Sequence, residues 1–252
     1  MPPHRLLARL IAGHPAPLNV GFALVQLALG IGFLLPLLVR PASVAALAWS
    51  AGIWWFGEGL GGLASGHASV ITGAPGAVLL YAVLALAAWP ATDHHRQPDR
   101  HEAAIAGWLP FAWLTLWGGG ALLQLLPSQR GIAALHDQLG NAEGTPGWLA
   151  NLHHLAGTVL SHGNSALFIA LVAVMVLIGF AGLAGRPWRT AAAAAGAVVA
   201  TAFWVLGQNI GELYSGQATD PNTGPLIVLI ALALAGSTSS IRLPSRTAPN
   251  QP

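Results

Sequence analysis

Apolar positions in this chain are grouped into long, nearly unbroken runs, each closed by Arg, Pro or a short polar cluster. Leu18–Val39 ends at Arg40-Pro41. Further runs cover about Ser43–Ser65, Ala74–Trp89, Ala103–Leu126, Ser165–Leu183, Thr190–Ser215 and Gly224–Ile241. A helix needs about 20 apolar residues to cross a hydrocarbon core of roughly 30 Å. The pattern therefore predicts an all-α, polytopic integral membrane protein with about seven transmembrane helices. The third and seventh runs have short clean cores, Ala77–Trp89 and Leu226–Ala235, and either of them is open to being re-entrant.

Two segments alternate differently. In Arg5–Gly13, Leu6, Leu7, Leu10 and Ile11 share a helical face, with Arg5 and Arg9 opposite. In Asn151–His162, Leu152, Leu155 and Val159 oppose His154, Thr158, Ser161 and His162. Amphipathic segments of this kind lie in the membrane interface and do not cross it. His14 and His162 are the expected equivalent ends of these two interfacial helices.

The chain also repeats itself. Trp54–Ala85 and Trp204–Ala235, slid by 150 positions without a gap, share 12 of 32 residues, among them Trp54/Trp204, Gly57/Gly207, Gly61/Gly211, Ser65/Ser215 and Pro75/Pro225. Matches this regularly placed indicate internal duplication. The expected plan has a first repeat at 1–90, with an interfacial helix and three spans. A linker span and His-bearing loop occupy 91–150, a second repeat 151–238, and a disordered tail 239–252. Copies that begin four crossings apart share one orientation, so the two three-helix repeats are expected to be parallel.

Composition narrows the class. The sequence is 54% hydrophobic and 7% charged, against about 25% charged in soluble domains. All ten cations are Arg, and with a formal charge of only +2 a nucleic-acid partner is not expected. Cysteine is absent, which excludes disulfides and thiolate metal sites. Arg40, Arg96, Arg100, Arg186, Arg189, Arg242 and Arg246 would share one face and Arg5, Arg9 and Arg130 the other. The positive-inside rule puts the first group in the cytoplasm, while Arg5 and Arg9 near the first span argue the opposite orientation. The lipid bilayer is the expected partner, and the bacterial cytoplasmic (inner) membrane the expected location.

Polar residues inside the repeated helices are the candidate chemistry. Gly57, Gly61 and Ser65, like Gly207, Gly211 and Ser215, give small residues every four positions, a pattern that close helix packing explains. Packing does not explain Glu58, which aligns with Gln208, or Glu212, which aligns with Gly62. A spacing of four puts positions 58 and 62, or 208 and 212, on one helical face. Ionisable groups at membrane depth usually face a partner or a wet cavity, although hydration near the helix ends would also accommodate them. Glu58, Gln208, Asn209, Glu212 and Asp220 are the expected lining of a polar cleft. In Asp220-Pro221-Asn222, the aspartate suits a turn- and cap-forming role better than a ligand role.

Six histidines, His14, His67, His136, His153, His154 and His162, fall on the same expected face as these acids. Imidazoles and carboxylates together suit a divalent metal such as zinc, nickel or copper(II). His154 and His162 stand eight residues apart, about 12 Å along a helix, and need further ligands from elsewhere. No Walker loop, nucleophile elbow, dinucleotide fingerprint or H-E-x-x-H spacing is present.

The segment GQNIGELYSGQATDPNTGPL, from Gly207 to Leu226, resembles a group of uncharacterised bacterial polytopic membrane proteins. In these a Gly-Gln start and a T-D-P-N-x-G-P turn recur near the C-terminus. The resemblance is best over Trp204–Leu234 and weaker over Pro146–Leu183. It implies an integral membrane protein and brings no activity with it. Three readings stay open: transport or binding of a small solute or ion at the repeat interface, a metal-binding membrane enzyme or redox subunit, and a non-catalytic partner of another membrane protein. Enzymatic activity is the less expected outcome.

Overall fold

A computed structural model of the protein describes residues 15–89, 98–140, 144–216, 218 and 220–237. The Arg5–Gly13 helix, His14, residues 92–97 of the polar loop and the 239–252 tail lie outside the described residues. Those described are helical and turn segments without a strand.

The helices are α1 (Pro15–Leu34), α2 (Val39–Phe56), α3 (Ala77–Ala87), α4 (Pro98–Gln124), α5 (Ile132–Asp137), α6 (Gly147–Ser161), α7 (Ser165–Ala181), α8 (Arg186–Leu206) and α9 (Thr223–Gly236). Short tight turns occupy Leu60–Ser65 and Asn209–Ser215. Of the described helices, α8 is long and apolar enough to cross a membrane. The pair α6 and α7, bent by 113°, would make a second such element if taken as one span. Asn19–Leu34, α3 and α9 are apolar but shorter.

Positions that align in the sequence also pack alike. Ala42, Ser43, Ala46 and Ser50 are the buried residues of α2, and their counterparts 150 positions on, Ala192, Ala193, Gly196 and Ala200, are buried in α8. Helix α1 packs on α2 as α7 packs on α8, and α2 on α3 as α8 on α9. The copies meet where α3 packs against α9.

Helix α4 is not duplicated, and it forms the centre of the core. Its Leu109, Trp113 and Trp117 are fully buried, and it packs chiefly on α7. Trp113 Nε1 donates to the Ile178 carbonyl at 3.0 Å. A Cβ at Gly196 would stand 2.4 Å from the Trp113 ring, so that glycine is what lets α8 approach α4. Large apolar side chains also face outward on most helices, including Leu34, Leu122, Leu177, Val198 and Leu232.

Two sequence expectations change. The second and sixth apolar runs do not stay helical to Ser65 and Ser215; α2 stops at Phe56 and α8 at Leu206. The four-residue spacing argument for Glu212 therefore fails, because no helical face continues past position 206. The ungapped alignment also fails after Gly216. The connection from Gly66 to Gly76 in the first copy is matched by a shorter one, from Gly216 to Asn222, so α9 begins four residues earlier than the alignment places it.

Candidate functional site

Each long helix of a repeat ends in the same way. The amides of Gly57 and Glu58 both donate to the Ile53 carbonyl, at 2.7 and 2.9 Å, and those of Gly207 and Gln208 both donate to Phe203, at 2.8 and 2.9 Å. The backbone then turns left-handed. Gly59, Leu60, Gly61 and Gly62 have φ of 56°, 63°, 62° and 72°, and Asn209, Ile210, Gly211 and Glu212 have φ of 51°, 50°, 66° and 54°. An L residue in this region costs roughly 1–2 kcal/mol. The first copy meets that cost largely with glycine, whereas the second holds Asn, Ile and Glu there under strain. Strain of this kind clusters at functional sites.

The turn is fastened to the start of the following short helix. Trp54 Nε1 donates to the Pro75 carbonyl at 2.9 Å, and Trp204 Nε1 to the Pro221 carbonyl at 2.7 Å. A Cβ at Gly61 would lie 1.9 Å from the Pro75 oxygen, and one at Gly211 would lie 2.7 Å from the Pro221 oxygen. Pro75 thus corresponds to Pro221, not to Pro225, which sits in the first turn of α9.

Glu58 and Gln208 complete the motif. Glu58 Oε1 accepts the Val78 N–H at 3.3 Å, and Gln208 Oε1 accepts the Gly224 N–H at 3.1 Å. Both bonds satisfy amides at a helix N-terminus, which have no partner within the helix itself. The other terminal atom of each side chain, Glu58 Oε2 and Gln208 Nε2, is buried with no hydrogen-bond partner among the described residues.

Between the two turns lies a cleft of about 530 Å³, lined by residues that include Glu58, His67, Ser69, Gln208, Glu212 and Asp220. Four of the five expected cleft residues meet here. Glu58 is half-buried, Gln208 buried, Glu212 exposed and Asp220 half-buried. Asp220 Oδ1 accepts the Asn222 N–H at 2.6 Å, and Asn222 Oδ1 accepts the Thr223 N–H at 2.7 Å, the turn-and-cap role that its sequence context favours.

Asn209 is the exception. Its Nδ2 donates to Tyr214 Oη and, at 3.3 Å, to Thr145 Oγ1, which turns it away from the cleft. With φ of 51°, its backbone is left-handed and its side chain is bonded to Thr145 and Tyr214, off the helical face on which the sequence places it.

One wall of the cleft is backed by a buried polar chain that the sequence did not signal. Gln124 Nε2 donates to Ser69 Oγ at 2.5 Å, and Ser69 Oγ donates to Gln138 Oε1 at 2.6 Å. Gln138 Nε2 continues to Gln129 Oε1 at 2.7 Å, and Gln129 Nε2 ends on the His67 carbonyl at 2.7 Å. These bonds tie α4, the 66–76 connection and α5 together. Three isolated glutamines carry no recognisable spacing, so only the fold reveals them.

The histidines do not assemble into one site. His67 lines the acidic cleft, while His136, His153 and His154 line a separate cavity of about 670 Å³ with Asp137 and Thr145. His153 Nε2 is committed to the Val205 carbonyl at 2.9 Å, and His162 Nδ1 to the Thr158 carbonyl at 2.8 Å. A carbonyl only accepts, so each of these nitrogens carries a proton and is unavailable to a metal. Among the described residues no three His, Asp or Glu side chains converge closely enough to hold an ion. His14 lies outside them. The divalent-metal expectation for this set therefore lacks a ligand group among the described residues.

No protein-family model matches this chain, and no curated protein or solved structure is significantly similar to it.

Proposed function

We propose that the chain is a multi-pass protein of a bacterial inner membrane that binds, and passes across the bilayer, a small solute or ion at the interface of its two repeats. In this reading α1, α2, α3, α4, α7, α8 and α9 are seven spans, and α6 lies in the interface at the 113° bend that separates it from α7. Outward-facing Leu, Val and Phe side chains on most helices support contact with lipid, since a soluble monomer rarely exposes large contiguous apolar patches.

The observation that carries the proposal is the meeting of Glu58 and Gln208, with Glu212 and Asp220, in one cleft where the two copies join. The short helices give that cleft its depth. Helix α3 has 11 residues and α9 has 14, about 17 and 21 Å at 1.5 Å per residue, against a core of roughly 30 Å. A short helix that starts at the cleft and ends at the far membrane face leaves the cleft floor well inside the bilayer. Broken helices paired across a repeat axis are the usual builders of such midplane sites.

The test is reconstitution of the purified chain into liposomes and measurement of uptake for a panel of ions and small solutes. Uptake or binding that is lost in Glu58→Ala and Glu212→Ala supports the reading. A chain that binds and moves nothing in the panel overturns it.

A further inference from the structure

We infer that the cleft is selective for a small organic ammonium ion that also carries a hydrogen-bond acceptor, such as a hydroxyl or carbonyl oxygen. The inference rests on the solute-cleft reading above and adds to it a ligand class.

Sign comes first. Glu58, Glu212 and Asp220 line the cleft, and among the described lining residues His67 is the one other titratable group and there is no Arg. Helix N-termini attract anions, and two open onto this region. At α3 the attraction is already met from within, because Glu58 Oε1 sits on the Val78 amide. At α9 the Gly224 amide is occupied by Gln208 Oε1 and the Thr223 amide by Asn222. What is left over is negative charge, which favours a cation.

The two unpartnered atoms narrow the class further. Gln208 is only 5% exposed, and its Oε1 is fixed on Gly224, so the amide orientation is set and Nε2 is the free end. A free N–H needs an acceptor, and neither a bare metal ion nor a simple alkylammonium has one to offer. Glu58 Oε2 is a free acceptor and needs a donor. One ligand satisfies both if it bears N⁺–H at one end and an oxygen at the other.

Size agrees with this chemistry. A volume of about 530 Å³ lies in the range of organic-ligand sites, roughly 300–1,000 Å³, and far exceeds what a dehydrated ion fills. Direct coordination is also disfavoured, since no three acidic or imidazole groups among the described residues converge on a point.

The experiment is equilibrium binding to the detergent-purified full chain with four organic probes, plus Na⁺ and Mg²⁺ as competitors. Ethanolamine carries both groups, ethylammonium only the cation, glycolate is an anion, and acetamide is neutral. Ethanolamine is expected to bind best, with ethylammonium weaker by about tenfold for the loss of one buried hydrogen bond. Glu58→Gln should weaken ethanolamine by about tenfold or more. Gln208→Leu should erase the preference for ethanolamine over ethylammonium. Gln208 itself shows that glutamine is structurally sound at this position, so Glu58→Gln is expected to fold. Glu212→Gln, at an exposed position, gives a second charge-removing variant with a smaller loss.

Stronger binding of glycolate, acetamide or Mg²⁺ would overturn the ligand class while leaving a solute cleft in place. An unchanged ethanolamine affinity in both charge-removing variants would likewise overturn the class. Absence of binding by every probe would overturn the ligand class, and the liposome uptake panel decides the solute-cleft reading separately.

Discussion

Glu58 and Gln208 do the same structural work at equivalent points of the two repeats, each giving one oxygen to an amide at the start of the next short helix, Val78 at 3.3 Å and Gly224 at 3.1 Å. They differ in what the second atom offers, an acceptor in one and a donor in the other. Stability and binding are therefore separable at this pair. Exchanging acid for amide keeps the shared bond, and truncation removes it.

Glu58→Gln keeps the bond to the Val78 amide and is expected to cost about 1 kcal/mol or less in thermal unfolding of the purified protein. Gln208→Ala should cost about 1–3 kcal/mol, because the buried Gly224 amide loses its partner. Thermal unfolding followed by tryptophan fluorescence compares the two. Equal losses would mean that the shared bond is not what these side chains contribute.

Gly61→Ala and Gly211→Ala introduce a Cβ that meets the Pro75 or Pro221 oxygen, at a left-handed backbone position. Each should cost about 3 kcal/mol or more, combining backbone strain with overpacking. Gly59→Ala also sits at positive φ but has open space around its Cβ, so about 1–2 kcal/mol is expected. Yield of folded protein after detergent extraction should rank the three variants, with Gly59→Ala the highest.

Glu212→Gly gives the second turn the residue that the first has at Gly62. Glu212 is exposed with φ of 54°, so glycine relieves strain and should stabilise by up to about 1 kcal/mol. It also removes a carboxylate from the cleft. The expected outcome is a higher unfolding temperature together with weaker ligand binding, measured on the same preparation. A loss of stability would contradict the strain assigned to this turn.

Ser69→Ala breaks the buried polar chain at its hub, where Ser69 Oγ accepts from Gln124 and the Ile71 amide and donates to Gln138. About 1–2 kcal/mol should be lost, since the Ile71 amide is left without this acceptor while Gln124 Nε2 and Gln138 Oε1 keep only their long mutual bond, at 3.4 Å. Ser65→Ala, a control in the same region, removes two solvent-exposed turn bonds, to the Gly62 carbonyl and from the His67 amide, and should cost under about 1 kcal/mol.

Much of this architecture can be read from residue order. Apolar runs mark the helices, and the recurring Trp, Gly and Ser mark the duplication. The acids inside those runs mark residues that the fold gathers into one cleft. Reading stops where the backbone leaves the common conformations. Gly-rich spacing at 57–62 looks like helix packing, yet it encodes a left-handed turn. Asn209-Ile210-Gly211-Glu212 gives still less warning, because Ile and Glu avoid that conformation and only the surrounding fold imposes it. Helical periodicity therefore places Asn209 on the wrong side, and it carries no sign of the four-residue difference in connection length. A shift of four is close to one helical turn, so apolar α3 and α9 match tolerably in either register. Gln124, Gln129 and Gln138 are far apart in the chain, and nothing short of tertiary structure pairs them.

The unequal connections have a mechanical outcome. The longer one lays Ile71 against the end of α8, where a Cβ on Gly207 would sit 2.5 Å from the Ile71 oxygen. Around Gly57, by contrast, the nearest atoms belong to Ile53 of its own helix. Among the described residues, one arm of the pair is clamped by its twin and receives no clamp in return. Among them the end of α8 beside Gln208 is therefore braced by both copies, and the end of α2 beside Glu58 by its own copy.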